Sequence, residues 1–126
     1  IITCHPLANI LDQFYLKYSK LKNRQPKIFD NHGKDKTIID YLSLDIEGNE
    51  KAIIETFPWE RYQFNFMNIE YNQDKSLYKW LKNYLKSKDY VETIKDNLWY
   101  QDIFLVHKSV YGKINMNKKK ISDFLN

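Results

Sequence analysis

Three acidic residues surround a glycine directly after a short apolar run, and they are the residues of this sequence best suited to chemistry. Asp45 and Glu47 stand two positions apart, with Gly48 and Glu50 following. Residues two apart at the end of a strand can face the same side. Two carboxylates placed in this way can orient a hydroxyl group, remove its proton as a general base, or hold a divalent cation. The competing interpretation is that these acids are only solvated, and that Glu50 only stabilises the N-terminus of the next helix.

A fourth acidic residue, Glu70, ends the next apolar run, and Asn72 follows it. Ligands of open α/β sheets bind outside the carboxyl ends of the strands. Because the runs 38–45 and 64–71 both finish on carboxylates, the sequence favours a functional site over acids that are only solvated.

Apolar spacing and turn residues predict that helices and strands alternate along the chain. The predicted elements are a helix over 5–20, a strand over 38–45, a helix over 49–56, a strand over 64–71, a helix over 74–88 with Asp74 as its N-cap, and strands over 90–94 and 100–107. Residues 20–36 are polar and predict a surface connection, and Asp96–Asn97 predicts the turn of a closing hairpin.

The order of these elements predicts the second half of a Rossmann-like α/β sheet. Right-handed crossovers through helices make the first two strands parallel neighbours. The closing hairpin makes one terminal strand antiparallel in a sheet that we expect to be mostly parallel. The sequence therefore predicts one α/β domain over residues 1–108 and a basic polar tail over 109–126, which suits a chain of 126 residues.

Composition and charge narrow the class of protein. The net charge of +4 partly reflects the run Lys118–Lys120, and solvation explains it better than a nucleic-acid footprint. The single cysteine, Cys4, allows no internal disulfide and favours a reducing compartment, so we expect a cytoplasmic protein. No apolar run approaches the length of a membrane span. The sequence opens with Ile1 and shows no signal-peptide pattern, which we interpret as the tail of something longer.

The stretch 39–50, which contains the acids and the glycine, resembles the hallmark sequence of the FkbM-type methyltransferases. Residues 3–11, 66–72 and 99–106 resemble further segments of that family, so the resemblance spans residues 3–108. It implies a Rossmann-like fold, S-adenosylmethionine as the cofactor, and O-methylation of a hydroxyl on a sugar or a related metabolite.

The resemblance also implies roles for single residues. Asp45 faces the methionine end of the cofactor or the acceptor hydroxyl, and Asp45 or Glu70 is the candidate base. Glu47, Gly48 and Asn72 belong to the acceptor side of the site. Methyl transfer to a hydroxyl needs in-line positioning and a nearby base, because a neutral hydroxyl is a poor nucleophile.

The chain departs from the family pattern at the cofactor site. Rossmann-like sites hold their cofactor with a glycine-rich turn and with an acid at the end of the second strand. Here the glycines are Gly33, Gly48 and Gly112, and no Gly-x-Gly occurs. The resemblance therefore covers only the second half of the domain, in a fragment or a degenerate relative. The expected partners are the N-terminal half and a small molecule that bears the acceptor hydroxyl.

A two-metal-ion exonuclease is the alternative from another class. Residues 44–47 resemble its first motif, in which the Asp-x-Glu of a strand holds the cations. Such enzymes need further acids downstream, often with a histidine five residues before the last. His107 and His32 are followed at that distance by glycine and threonine, so the spacing fails.

A non-catalytic module that binds nucleic acid or a protein partner is the third hypothesis. Trp59, Trp80, Trp99 and the many tyrosines could stack on bases. Most of these rings fall on apolar faces, which favours core positions and makes nucleic acid a poor candidate. The histidines do not cluster with Cys4 at metal-ligand spacing, so the sequence predicts no metal site.

Overall fold

Helices and strands alternate along the chain in the computed structural model, which describes residues 5–22, 27–29, 35–93 and 101–113. In chain order the elements are α1 (Leu7–Lys22), β1 (Lys27–Phe29), β2 (Asp35–Leu44), α2 (Glu50–Thr56), β3 (Tyr62–Glu70), α3 (Lys75–Lys86), β4 (Tyr90–Glu92) and β5 (Asp102–His107). Residues 108–113 are also helical. The predicted α/β alternation is confirmed for these elements. The turn at Asp96–Asn97 and the tail beyond residue 113 lie outside the described residues.

The described strands form one sheet in the order β1-β2-β3-β5-β4. Strands β2 and β3 are parallel, as predicted from the crossover through α2. The pairs β1–β2, β3–β5 and β4–β5 are antiparallel. The expectation of a mostly parallel sheet is therefore wrong for the described strands. Strand β5 of the closing hairpin pairs with β3, and a further antiparallel pair, β1–β2, lies at the start of the sheet.

That further hairpin lies in the segment predicted to be a surface connection. Strand β1 pairs with the first residues of β2 in the register Lys27↔Thr37 and Phe29↔Asp35. Strand β2 thus begins at Asp35 rather than at Ile38. Backbone groups of an extended segment need hydrogen-bond partners, and the pairing of β1 with β2 supplies them.

Helices α1, α2 and α3 pack against the strands through one apolar cluster. Leu7 and Leu11 of α1 and Ile54 of α2 contact it together with residues of α3. Burying each large side chain contributes about 1.5–3 kcal/mol. The buried members are Leu44, Ile54, Phe57, Trp59, Tyr62, Phe64, Met67, Ile69, Leu81, Leu85, Tyr90, Ile103 and Leu105.

The ends of α2 and α3 follow from local chemistry. Helix α2 stops before Phe57-Pro58, as predicted, because proline disfavours helical geometry in the residue before it. The carboxylate of Asp74 accepts the backbone N–H groups of Ser76 at 2.9 Å and Leu77 at 3.1 Å, which confirms it as the N-cap of α3. Helix α3 ends at Lys86, two residues earlier than predicted.

The described helices are also informative about membranes. Within residues 5–22, 27–29, 35–93 and 101–113, no helix combines the length and the apolar character that a membrane crossing requires.

Candidate functional site

The loop between β2 and α2 lies beside the end of β3. The register Leu44↔Ile69 of the parallel pair places Asp45 and Glu70 next to each other, one residue beyond it. Carboxylate oxygens of Asp45, Glu50 and Glu70 lie within 4.8 Å of one another. The structure thus brings together one acid from each of two strand ends, and a third from the first turn of α2.

Glu70 is the acid whose protonation is most strongly affected by this arrangement. A hydrogen bond with Asp45, partial burial, and the negative charges of Asp45, Glu47 and Glu50 together raise the pKa of Glu70 to about 7. Like charges disfavour a second ionisation nearby, so a proton stays on Glu70 well above its usual range. Protonated Glu70 donates to Asp45, and the pair gains or loses this proton near neutral pH.

Glu50 differs from the other acids because it is buried, with 2% of its surface exposed. Its carboxylate accepts the N–H of Ile46 at 2.9 Å and the N–H of Gly48 at 3.0 Å. Burial alone would raise the pKa of Glu50, but the backbone N–H groups of Ile46, Glu50 and Gly48 outweigh it and lower the pKa. Glu50 therefore carries its negative charge inside the loop.

The loop has an unusual backbone at the two residues before Asn49. Glu47 has φ 58° and Gly48 has φ 108°. A side chain at Gly48 would meet no atom within 4 Å, so the backbone angle rather than space requires glycine there. Glu47 in the left-handed region carries a modest conformational cost. Both residues are exposed at the rim of the acidic cluster.

Asn72, predicted on the acceptor side, lies two residues beyond Glu70 in the turn that leads to α3. It has φ 44° and is exposed. Its backbone N–H donates to the carbonyl oxygen of Gln101 at 3.2 Å, which ties this turn to the start of β5. Asn72 therefore lies on the same end of the sheet as Asp45.

A chain of polar side chains crosses the three central strands near the acids. The hydroxyl of Tyr41 donates to the amide oxygen of Asn68, and the Asn68 amide nitrogen donates to Asp102 at 2.8 Å. Asp102 is the register partner of Glu70 across β3 and β5. This chain fixes the side chains on the strand surface that borders the acidic cluster.

The spacing of the acidic oxygens would suit a divalent cation, since hard cations prefer carboxylate ligands. Both Glu50 oxygens, however, already accept backbone N–H groups from within the loop. A cation would have to compete with those hydrogen bonds. The cluster is therefore best described as a carboxyl pair, Asp45 and Glu70, beside a structural carboxylate.

A groove of about 440 Å³ lies at the other end of the strands, where β2 and β3 begin and β5 ends. Lys36, Gln63 and His107 are among the residues that line it, and none of the clustered acids does. Burial lowers the pKa of His107. The groove is thus separate from the carboxyl ends, where the sequence predicts the site.

Sequence reasoning named Asp45, Glu47, Gly48, Glu70 and Asn72 and left Glu50 undecided between two roles. The hydrogen bonds of Glu50 to the loop were missed. The available signal was an acid in the first turn of the predicted helix 49–56, where free backbone N–H groups need acceptors.

Comparisons with known proteins support one assignment. Residues 4–92 match the family model described as the Methyltransferase FkbM domain, which is well over half of the chain. The matched range contains all of the clustered acids. No curated protein and no solved structure matches the chain.

Proposed function

The chain belongs to the FkbM methyltransferase domain family, and on this premise we propose that it forms the acceptor side of a methyltransferase that uses S-adenosylmethionine. The proposed reaction is O-methylation of a hydroxyl on a sugar or a related small metabolite. The observation that carries the proposal is the placement of Asp45 beside Glu70 at the carboxyl ends of two parallel strands, where the hydrogen bond with Asp45 raises the pKa of Glu70 to about 7.

The pair suits the proton transfer that this reaction requires. When bound, S-adenosylmethionine would supply an electrophilic methyl group to the acceptor oxygen, with the thioether as the leaving group. The Asp45–Glu70 pair would accept the proton that the hydroxyl loses. A base is most effective when its pKa lies near the working pH, and the pKa of Glu70 is raised to about 7 by its Asp45 neighbour. Asp45 keeps Glu70 oriented through their shared hydrogen bond.

The exposed residues around the pair fit the acceptor side. Glu47 and Asn72 offer exposed polar side chains, and a Cβ at Gly48 would meet no atom within 4 Å, which leaves open space beside them. The hydroxyl groups of a sugar donate hydrogen bonds, which carboxylate and amide oxygens can accept. We propose Glu47, Gly48 and Asn72 as acceptor-binding residues on this basis.

The described residues fit only part of the cofactor. The carboxylate of Asp45 suits the ammonium group of the methionine end, as a charge-assisted hydrogen bond. A cofactor turn of the Rossmann kind needs glycines where the backbone approaches a ligand. Of the two described glycines, Gly48 lies within the acidic loop, and Gly112 lies beyond β5. Neither glycine is therefore proposed to hold the rest of the cofactor.

We propose that a further polypeptide segment, equivalent to the first half of the domain, supplies the glycine-rich turn and docks along β2. Strand β1 pairs only with residues 35–37, so one edge of residues 38–44 faces no described strand. Tyr41 on β2 and its register partner Phe66 on β3 are 57% and 41% exposed. An unpaired strand edge next to exposed apolar rings is suited to adding a strand and covering that face. The resulting sheet would be Rossmann-like.

The test is a methyl-transfer assay on the full-length protein. Methyl-labelled S-adenosylmethionine is incubated with a panel of sugars and hydroxylated metabolites, and with matched acceptors whose hydroxyls are already methylated. We expect label in a new methyl ether for an acceptor with a free hydroxyl. Label only on nitrogen or sulfur, or no binding of S-adenosylmethionine in calorimetry, would contradict the proposal.

A further inference from the structure

The buried carboxylate of Glu50 makes more contacts than a helix start requires. An acid in the first turn of a helix stabilises the N-terminus even when it is exposed. Glu50 is instead 2% exposed, and it accepts N–H groups from Ile46 and Gly48, four and two residues earlier. Its side chain therefore acts on the loop that precedes the helix.

The loop and Glu50 depend on each other energetically. An ionised carboxylate is costly to bury unless it is hydrogen-bonded, and the N–H groups of Ile46 and Gly48 provide those bonds. In turn, backbone N–H groups that point inward need an acceptor. Glu47 lies between these two donors with φ 58°, a conformation that the surrounding structure must hold in place.

Asp45 directly precedes the first of these donors. Its position relative to Glu70 is set on one side by strand β2 and on the other by the loop that Glu50 holds. The oxygens of Asp45, Glu50 and Glu70 lie within 4.8 Å of one another, so the fixed charge of Glu50 also acts on the pair.

We infer that Glu50 is a positioning residue, which clamps the loop 46–48 so that Asp45 stays beside Glu70. The effect on turnover rests on the proposed function. The effects on loop structure and on the titration of Glu70 do not, since they need no cofactor or acceptor.

Other charged groups besides Glu50 face Glu70. Asp45 and Glu47 approach it from the β2–α2 loop, and both raise its pKa together with Glu50. Asp102 is its register partner on β5 and accepts a hydrogen bond from Asn68. Removing the charge of Glu50 alone should lower the pKa of Glu70 without abolishing the shift that Asp45 causes.

The test replaces Glu50→Gln, with Glu55→Gln as the matched control. Glu55 lies on the same helix, is exposed, and is not among the acids that act on Glu70. In the full-length protein, carboxyl NMR follows the titration of Glu70, and kinetics give kcat and KM over a range of pH. We expect E50Q to move the midpoint of Glu70 down by less than half of its rise from 4.5 to about 7, because Glu50 is the smallest of the causes that raise it. We expect kcat to fall about 10- to 100-fold, with KM for S-adenosylmethionine little changed. E55Q should change neither.

A purely structural role would give a different result. If E50Q lowered Tm but left the Glu70 midpoint and the pH profile of kcat unchanged, the inference would be overturned. Hydrogen exchange in the unmodified protein supplies a measurement that does not depend on the variant folding. The amides of Ile46 and Gly48 should be protected, and exchange at the rate of an unstructured peptide would also overturn it. If E50Q lowered the titration midpoint of Glu70 but the wild-type protein transferred no methyl group, the clamp would be upheld and the proposed reaction would be rejected.

Discussion

Glu70, the last residue of β3, shares a hydrogen bond with Asp45, the first residue after β2. Because β2 and β3 are parallel neighbours, both carboxyl groups lie at the same end of the sheet. The hydrogen bond and the surrounding negative charge hold a proton on Glu70 up to about pH 7. The pair thus combines the position of a ligand site in α/β sheets with a proton available near neutral pH.

The raised pKa of Glu70 has a defined consequence for stability. The pKa is about 7 in the folded protein against an ordinary value of 4.5, so the folded state binds this proton more tightly. Its contribution to stability is therefore present at low pH and is lost as the pH rises from about 4.5 through 7. We expect Glu70→Gln to raise Tm at pH 8 more than at pH 5, relative to wild type. Thermal unfolding at both values checks this, with Glu55→Gln as the control, and equal shifts at both pH values would count against the shared proton.

Asp12 should stabilise the contact between α1 and the start of β3. Its two carboxylate oxygens accept from a single nitrogen of Arg61, Nη1, at 2.8 and 2.9 Å, and one of them also accepts from the hydroxyl of Tyr62. The Tyr62 and Arg61 hydrogen bonds lower the pKa of Asp12, so its contribution is lost as the solution becomes acidic. Asp12→Asn should cost about 1 kcal/mol at pH 7 and less at pH 3. Urea unfolding at the two pH values measures this, and a cost that does not depend on pH would argue against the ion pair.

The hydroxyl of Tyr90 bonds the backbone of Phe64, which pairs with Ile39 on β2 but lies before the first residue of β3 in register with β5, Phe66. It accepts the Phe64 N–H at 3.0 Å and donates to the Phe64 carbonyl at 2.9 Å, both in the interior. Tyr90→Phe leaves a buried N–H and a buried C=O unpaired, which should cost about 1–3 kcal/mol. Chemical unfolding compares it with Tyr111→Phe at a site that is 41% exposed. Equal costs for the two variants would show that the Tyr90 hydroxyl is not needed.

Chelation of divalent cations should leave methyl transfer intact. Both Glu50 oxygens accept backbone N–H groups, which removes the third carboxylate from a cation site built on Asp45 and Glu70. The assay is methyl transfer by protein dialysed against EDTA, with and without added Mg²⁺ or Mn²⁺. Activity that required the metal would contradict the assignment. Degradation of single-stranded nucleic acid by the metal-treated protein would favour the exonuclease alternative instead.

Much of the fold is present in local sequence patterns. The predicted helices at 5–20, 49–56 and 74–88 correspond to α1, α2 and α3, because each has a clear apolar face or a recognisable cap. Strand β1 was missed because three residues are too few to show a period-2 pattern. The direction of the sheet was misjudged because pairing between β3 and β5 depends on tertiary packing, which short-range patterns do not encode.

Part of the candidate site could likewise be predicted from the sequence, and part could not. Asp45 and Glu70 could be named because each follows a recognisable strand, and parallel strands end at one edge. The loop geometry of Glu47 and Gly48 and the backbone hydrogen bonds of Glu50 could not be read from the sequence. They depend on the conformation of the loop at the first turn of α2, and the same residues could adopt many other conformations in a loop of that length.

The most direct measurement is methyl transfer by Asp45→Asn in the full-length protein, with cofactor binding measured alongside. Asp40→Asn is the matched control, since Asp40 is exposed on β2, the strand that leads to Asp45, and among the described side-chain hydrogen bonds it contacts only the side chain of Asn65. We expect D45N to lose about 100-fold or more of kcat while D40N retains the wild-type value. Undiminished methylation by D45N, with S-adenosylmethionine still bound normally, would contradict the role of the Asp45–Glu70 pair.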